Sequence, residues 1–202
     1  MHWQRLDRDS SLKVIDSVKS AADMGLFNIG TSEVQRAFLP FYNDFFLFKV
    51  TNYASLPSFS FEYLGDGTFF HYLDGTEAPI HAANDKGKLS LGDGNLIDYI
   101  AFYYSHVATE ELNDVIVIKD PHDMPMLDSL DPMAYASVMR NHKPAAIITN
   151  NDGSYTVETE IYNEGQLVRA TLEVTAKGRV KMLDQKMIVN EMLDQGASEA
   201  LL

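Results

Sequence analysis

The last quarter of the chain, Ser154 to Val189, tolerates one strand pairing and resists its neighbours. A two-residue turn at Glu164-Gly165 sets Ile161 opposite Val168, Thr159 opposite Ala170, Val157 opposite Leu172 and Tyr155 opposite Val174. Strand side chains alternate with period two, so this register gathers the apolar residues on one face, and a slip of one residue would scatter them. It also sets Glu160 beside Arg169 on the other face, which is expected to be wet. A three-residue loop, Ala176-Lys177-Gly178, then returns the chain. Val180 faces Val174, Met182 faces Leu172, and Lys181 meets Glu173. The alternation breaks after Met182 and resumes at Met187, which predicts one extra residue, a bulge, between them. Asn150 to Gly153 is a turn cluster, and Ala145 to Ile148 before it is apolar enough for a further strand.

The rest of the chain alternates single helices with strands. Ser10 or Ser11 is expected to cap a helix to about Met24, stopped by Gly25. Ser32 followed by Gln35 has the form of a capping box and predicts a short helix ending before Pro40. Phe45 to Thr51 is apolar on both faces and predicts a buried strand. Phe59–Leu64 and Thr68–Leu73 read as a hairpin about Asp66-Gly67, pairing Tyr63 with Phe70, Phe61 with Tyr72 and Glu62 with His71. Asp74 to Asn95 is rich in turn residues and reads as a long ordered loop. A helix from Leu96 to about Leu112 is apolar around most of its circumference, which suggests a central position or an oligomer interface. A strand at Val115–Lys119 follows, and Asp131-Pro132 opens a helix running to about His142. This order predicts an α+β fold, mainly antiparallel, with a C-terminal meander wrapped by about four helices. It resembles cystatin-like and nuclear-transport-factor-like cones, and sensor domains that end in a meander. An analogy of fold carries no function. One domain over residues 1–190 is expected, with 191–202 as a tail that frays or docks.

Composition removes several function classes. The chain has 202 residues and no cysteine, so disulfides, thiolate nucleophiles and Cys-ligated metals are excluded. The formal net charge is −13, and no cluster of Lys or Arg offsets it, which argues against nucleic acid as a partner. No apolar run approaches the roughly 18–20 residues of a membrane span, and the N-terminus shows no apolar signal segment, so a cytoplasmic protein without a membrane partner is expected.

Motifs are sparse. Asp74-Gly75-Thr76 follows an aromatic strand and resembles the aspartate-nucleophile phosphatases, but the nucleophile position holds Tyr72. Gly92-Asp93-Gly94 lacks the rest of a dinucleotide fingerprint, and no Walker A or Gly-x-Ser-x-Gly pattern occurs. His71 and His81 bracket a segment holding Asp74, Glu77, Asn84 and Asp85. If the segment folds back, His71, Asp74 and His81 become candidates for general acid–base chemistry, alone or with a metal. The ordinary alternative pairs His71 with Glu62. His106 and Glu110 lie four apart on a predicted helix and are a weak metal pair, since such spacings are commoner as surface pairs.

Aromatic residues crowd the middle third. Most must be core, with the surplus, Tyr72 and Tyr103 among them, free to line a ligand cavity. The expectation is a non-catalytic module without a cofactor that binds a small molecule or a protein partner through Glu77, Asn84, Asp85, Tyr72 and Tyr103 as a homo-oligomer. The alternative is a small-molecule hydrolase, isomerase or lyase using His71, Asp74 and His81.

Overall fold

A computed structural model describes residues 1–22, 26–108, 115–125 and 127–190, so the expected stop at Gly25, the last turn of the Leu96 helix and the 191–202 tail lie outside the described residues. The fold is α+β with two antiparallel five-stranded sheets. The chain packs as two compact units, Met1–Asn95 and Leu96–Leu202.

The first unit is built on a meander of β1 (Trp3–Arg5), β2 (Ser32–Phe38), β3 (Phe46–Asn52), β4 (Phe59–Gly65) and β5 (Phe70–Tyr72), paired in chain order. Helix α1 (Arg8–Ala22) connects β1 to β2. Its Val14, Ile15 and Val18 recur at helical spacing and are buried with Val34, Phe48, Val50 and Tyr63 in one core cluster. Full burial of such side chains contributes about 1.5–3 kcal/mol each. On the opposite face, α2 (Ala78–Lys86) packs on β4 and β5.

In the second unit, β8 (Tyr155–Asn163), β9 (Gln166–Val174) and β10 (Val180–Asn190) form the expected meander, residue for residue. Glu164 and Gly165 both have positive φ, 46° and 81°, which is the twist a two-residue hairpin turn requires. The expected bulge lies between Met182 and Asp184, and a second lies between Met187 and Val189. Strands β6 (Ile116–Ile118) and β7 (Ala146–Thr149) share the other edge of β8. Helix α3 (Leu96–His106) buries Leu96, Tyr99 and Ile100, and its Tyr99 hydroxyl donates to the Gly178 carbonyl. Helix α4 (Pro132–Asn141) starts where Asp131 accepts from the Met133 and Ala134 amides, and it packs on β10.

Four local expectations are corrected. Residues 32–38 form a strand, because pairing with β1 and β3 outweighs a local cap, and the Ser32 hydroxyl accepts from the Asn28 amide instead. The 74–95 segment contains α2, started by Pro79 in its first turn. The β4–β5 hairpin is shifted by two residues, giving Tyr63 opposite Tyr72 and Leu64 opposite His71. A shift of two preserves the faces, so the aromatic side is unchanged. Glu160 is not wet. Its side chain is 1% exposed, and it accepts from His142 Nδ1 at 2.7 Å, from the Lys143 amide at 3.1 Å and from Arg169.

Candidate functional site

The first unit holds an open cleft of about 320 Å³ between β1, the first turns of α1, β2 and the β4–β5 turn. Strand register explains how it forms. Gln4 pairs with Arg36 across β1 and β2, and Leu6 extends the ladder by donating its amide to the Val34 carbonyl at 3.0 Å. The next residue, Asp7, caps α1 in place of the expected Ser10 or Ser11, which lie within the helix. One carboxylate oxygen accepts from the Ser10 amide at 2.8 Å and the other from the Ser10 hydroxyl at 2.9 Å. Those bonds hold its carboxyl below the usual aspartate range. Lys13 follows on the second turn of the helix.

The far wall is the β4–β5 turn. Asp66 Oδ1 accepts from the Thr68 amide, the Thr68 hydroxyl and the Phe69 amide at 2.7–2.8 Å. Partial burial works to raise its pKa, but the bonds from Phe69 and Thr68 together prevail and keep it low. Gly67 sits at φ 97°, a conformation that favours glycine. At Gly65 a Cβ would fall 2.2 Å from the Phe69 carbonyl oxygen, so only glycine lets this turn close.

Charge and floor complete the site. The Arg36 guanidinium lies over the Phe46 ring, 4.6 Å from its centroid, which restricts its rotamers while leaving its donors open. Neither Arg36 nor Lys13 forms an ion pair among the described residues. Arg5 also borders the cleft, but its guanidinium pairs with Glu33 at 3.1 Å on the other face of the sheet. Leu6, Val14 and Phe48 make up the small apolar part of a mostly polar lining, with Val14 and Phe48 belonging to the buried core.

The residues expected from sequence lie elsewhere. His71 is on β5, facing the α2 layer, with its ring stacked 6.0 Å from that of Phe45. Its Nε2 is buried with no hydrogen-bond partner among the described residues. Burial first, and the Lys86 charge second, lower its pKa, with Asp66 opposing. Helix α2 carries Glu77 at its start and His81 one turn on, with His81 Nε2 3.9 Å from Glu77 Oε2. Asn84 is buried and accepts from the Tyr42 hydroxyl at 2.5 Å, while Asp85 is exposed. Asp74 is exposed in the turn before α2, and its carboxylate accepts from the Thr76 amide and hydroxyl. Thus β5 and α2 bring His71 into one layer with His81 and Asn84, and Asp74 is engaged in its own turn. Tyr72 stacks near Tyr63 and Phe61 on the opposite face of the sheet. Tyr103 belongs to the second unit and is buried beside Tyr104, whose hydroxyl burial pushes up to about 12. His106 Nδ1 lies 2.8 Å from the Phe102 carbonyl, and Glu110 is outside the described residues. Among the described residues no group of three or more His, Asp or Glu side chains is placed to hold a metal ion, and no helix is long and apolar enough to cross a membrane.

Sequence reasoning missed the cleft altogether. Gln4, Lys13, Arg36 and Asp66 share no motif, and they meet only through a β1–β2 pairing in which one strand was unforeseen and the other was read as a helix. Compared with known proteins, the chain matches no family model, no curated protein and no solved structure.

Proposed function

We propose that this protein is a non-catalytic ligand-binding module and that its ligand occupies the cleft at the start of α1. The observation that carries the reading is an open, mostly polar cleft that gathers charged groups of both signs in one place. Its volume sits at the small end of the roughly 300–1,000 Å³ range of small-molecule sites. Asp7 caps α1 and Asp66 Oδ1 holds the β4–β5 turn, which suits a binding scaffold. A cytosolic setting suits a chain without cysteine. The module binds as a homo-oligomer in the fuller form of this reading, which light scattering tests by a mass above that of one chain.

The test is a thermal-shift screen of the full chain with a diverse set of small polar compounds, repeated on Arg36→Gln and Lys13→Gln. Binders should raise the melting temperature of the native chain, lose that effect in the variants, and be recovered chemically unchanged. Binders indifferent to both substitutions would contradict the site. Consumption of the compound would contradict the non-catalytic part.

A second reading, a hydrolase, isomerase or lyase, is favoured by one observation. His71 presents a buried nitrogen without a partner among the described residues and is biased toward the neutral imidazole, the form a general base needs. Turnover of any ester, amide or isomerisable substrate that His71→Ala abolishes would favour it over the first.

A further inference from the structure

We infer that the ligand of the cleft is a small zwitterion of the amino-acid type, its carboxylate held by Arg36 and Lys13 and its ammonium by Asp66. This rests on the proposed binding function and adds the chemical class.

The argument is one of charge and spare capacity. The cleft is bordered by five charged side chains, and two are already committed. Arg5 is paired with Glu33, and both Asp7 oxygens accept from Ser10. Asp7 also fills the anion position that the start of α1 would otherwise offer. Arg36, Lys13 and Asp66 remain. Arg36 has its guanidinium braced on Phe46 and no carboxylate partner among the described residues. Lys13 is likewise without an ion pair among them. Asp66 spends Oδ1 on its turn, while its Oδ2 accepts nothing among the described residues.

A simple anion would satisfy the two cations and meet repulsion from Asp66 and Asp7. A simple cation would satisfy Asp66 and meet repulsion from Arg36 and Lys13. A molecule carrying both charges satisfies each side, and the planar fork of Arg36 matches a carboxylate. Val14 and Phe48 are buried in the core behind the cleft, so the lining is mostly polar and recognition falls on the two charged ends of the molecule. The cleft is open, so its charges work in high dielectric and the affinity is modest, with Kd on the order of 1 mM.

The experiment follows backbone amide shifts of the full chain during titration with leucine and phenylalanine. Each is compared with its analogue lacking the amine (4-methylpentanoate, 3-phenylpropanoate) and its analogue lacking the carboxylate (3-methylbutylamine, 2-phenylethylamine). At least one amino acid should move the amides of Lys13, Arg36 and Gly67 along a single saturation curve, with both of its analogues roughly tenfold weaker, the loss of one charge-assisted contact. Arg36→Gln should bring the amino acid down to the level of its amine analogue. Asp66→Asn, which keeps a side-chain oxygen for the turn, should bring it down to the level of its acid analogue. An analogue that binds as tightly as its parent overturns the zwitterion and leaves the binding module standing. Cleft amides that stay still with every one of these compounds overturn the zwitterion, and a thermal screen that also yields no binder overturns the binding module with it.

Discussion

At the residue scale, Tyr63 is the clearest case of a side chain kept at some expense. It is wholly buried, its hydroxyl has no hydrogen-bond partner among the described residues, and burial with the nearby Tyr72 pushes its pKa up to about 12. An unpartnered buried hydroxyl costs about 1–3 kcal/mol, so Tyr63→Phe should be neutral or stabilise by about 1 kcal/mol. The urea midpoint checks this, and a loss of stability would show that the hydroxyl is bonded. His71 makes a second prediction. Its folded pKa lies below the ordinary value of 6.5, chiefly through burial. Below pH 6.5 the unfolded chain therefore binds a proton that the folded chain refuses, and stability falls as pH drops through that value toward the lowered pKa. His71→Phe, which retains the stack on Phe45, should flatten the difference in unfolding free energy between pH 7.5 and 5.5. An unchanged slope would remove His71 as its source.

At the element scale, the β8–β10 meander was legible because its constraints are local and redundant. Turn chemistry at Glu164-Gly165, two-fold alternation and cross-strand charges all specify the same register. The same local logic failed at β2, where a capping-box pattern was overridden by two strand partners far along the chain. It failed again at the β4–β5 hairpin, because the Asp66 side chain organises a four-residue loop where a two-residue turn was expected. The cross-strand pair Glu160–Arg169 was placed correctly, but its burial depends on α4. Arg169 Nη2 donates to the Asn141 carbonyl at the end of that helix at 3.0 Å, and Glu160 receives His142 just beyond it. The two residues therefore pin the end of α4 to the sheet. Glu160→Ala removes the acceptor shared by His142, the Lys143 amide and the partly exposed Arg169, and should cost about 1.5–3 kcal/mol. Hydrogen exchange should show the greatest loss of protection in the last turn of α4. Loss confined to β8 would contradict the pinning.

At the scale of the whole molecule, α3 takes the first of the two positions its composition allows. The apolar circumference that suggested a central position or an oligomer interface belongs to a helix whose Leu96, Tyr99, Ile100, Phe102, Tyr103 and Tyr104 are buried within a single chain. The functional question is likewise one of placement. Two locations in the first unit compete: the charged cleft at α1, assembled from residues scattered between Gln4 and Gly67, and the His71 layer beneath α2, whose members the sequence did nominate. The most direct measurement is amide chemical-shift mapping of the full chain with whichever compound the thermal screen yields. The account requires shifts concentrated at Gln4 to Leu6, Lys13, Val14, Arg36, Asp66 and Gly67, with His71, His81 and Asn84 silent. Shifts gathered on His71, His81 and Asn84 while the cleft stays still would contradict it.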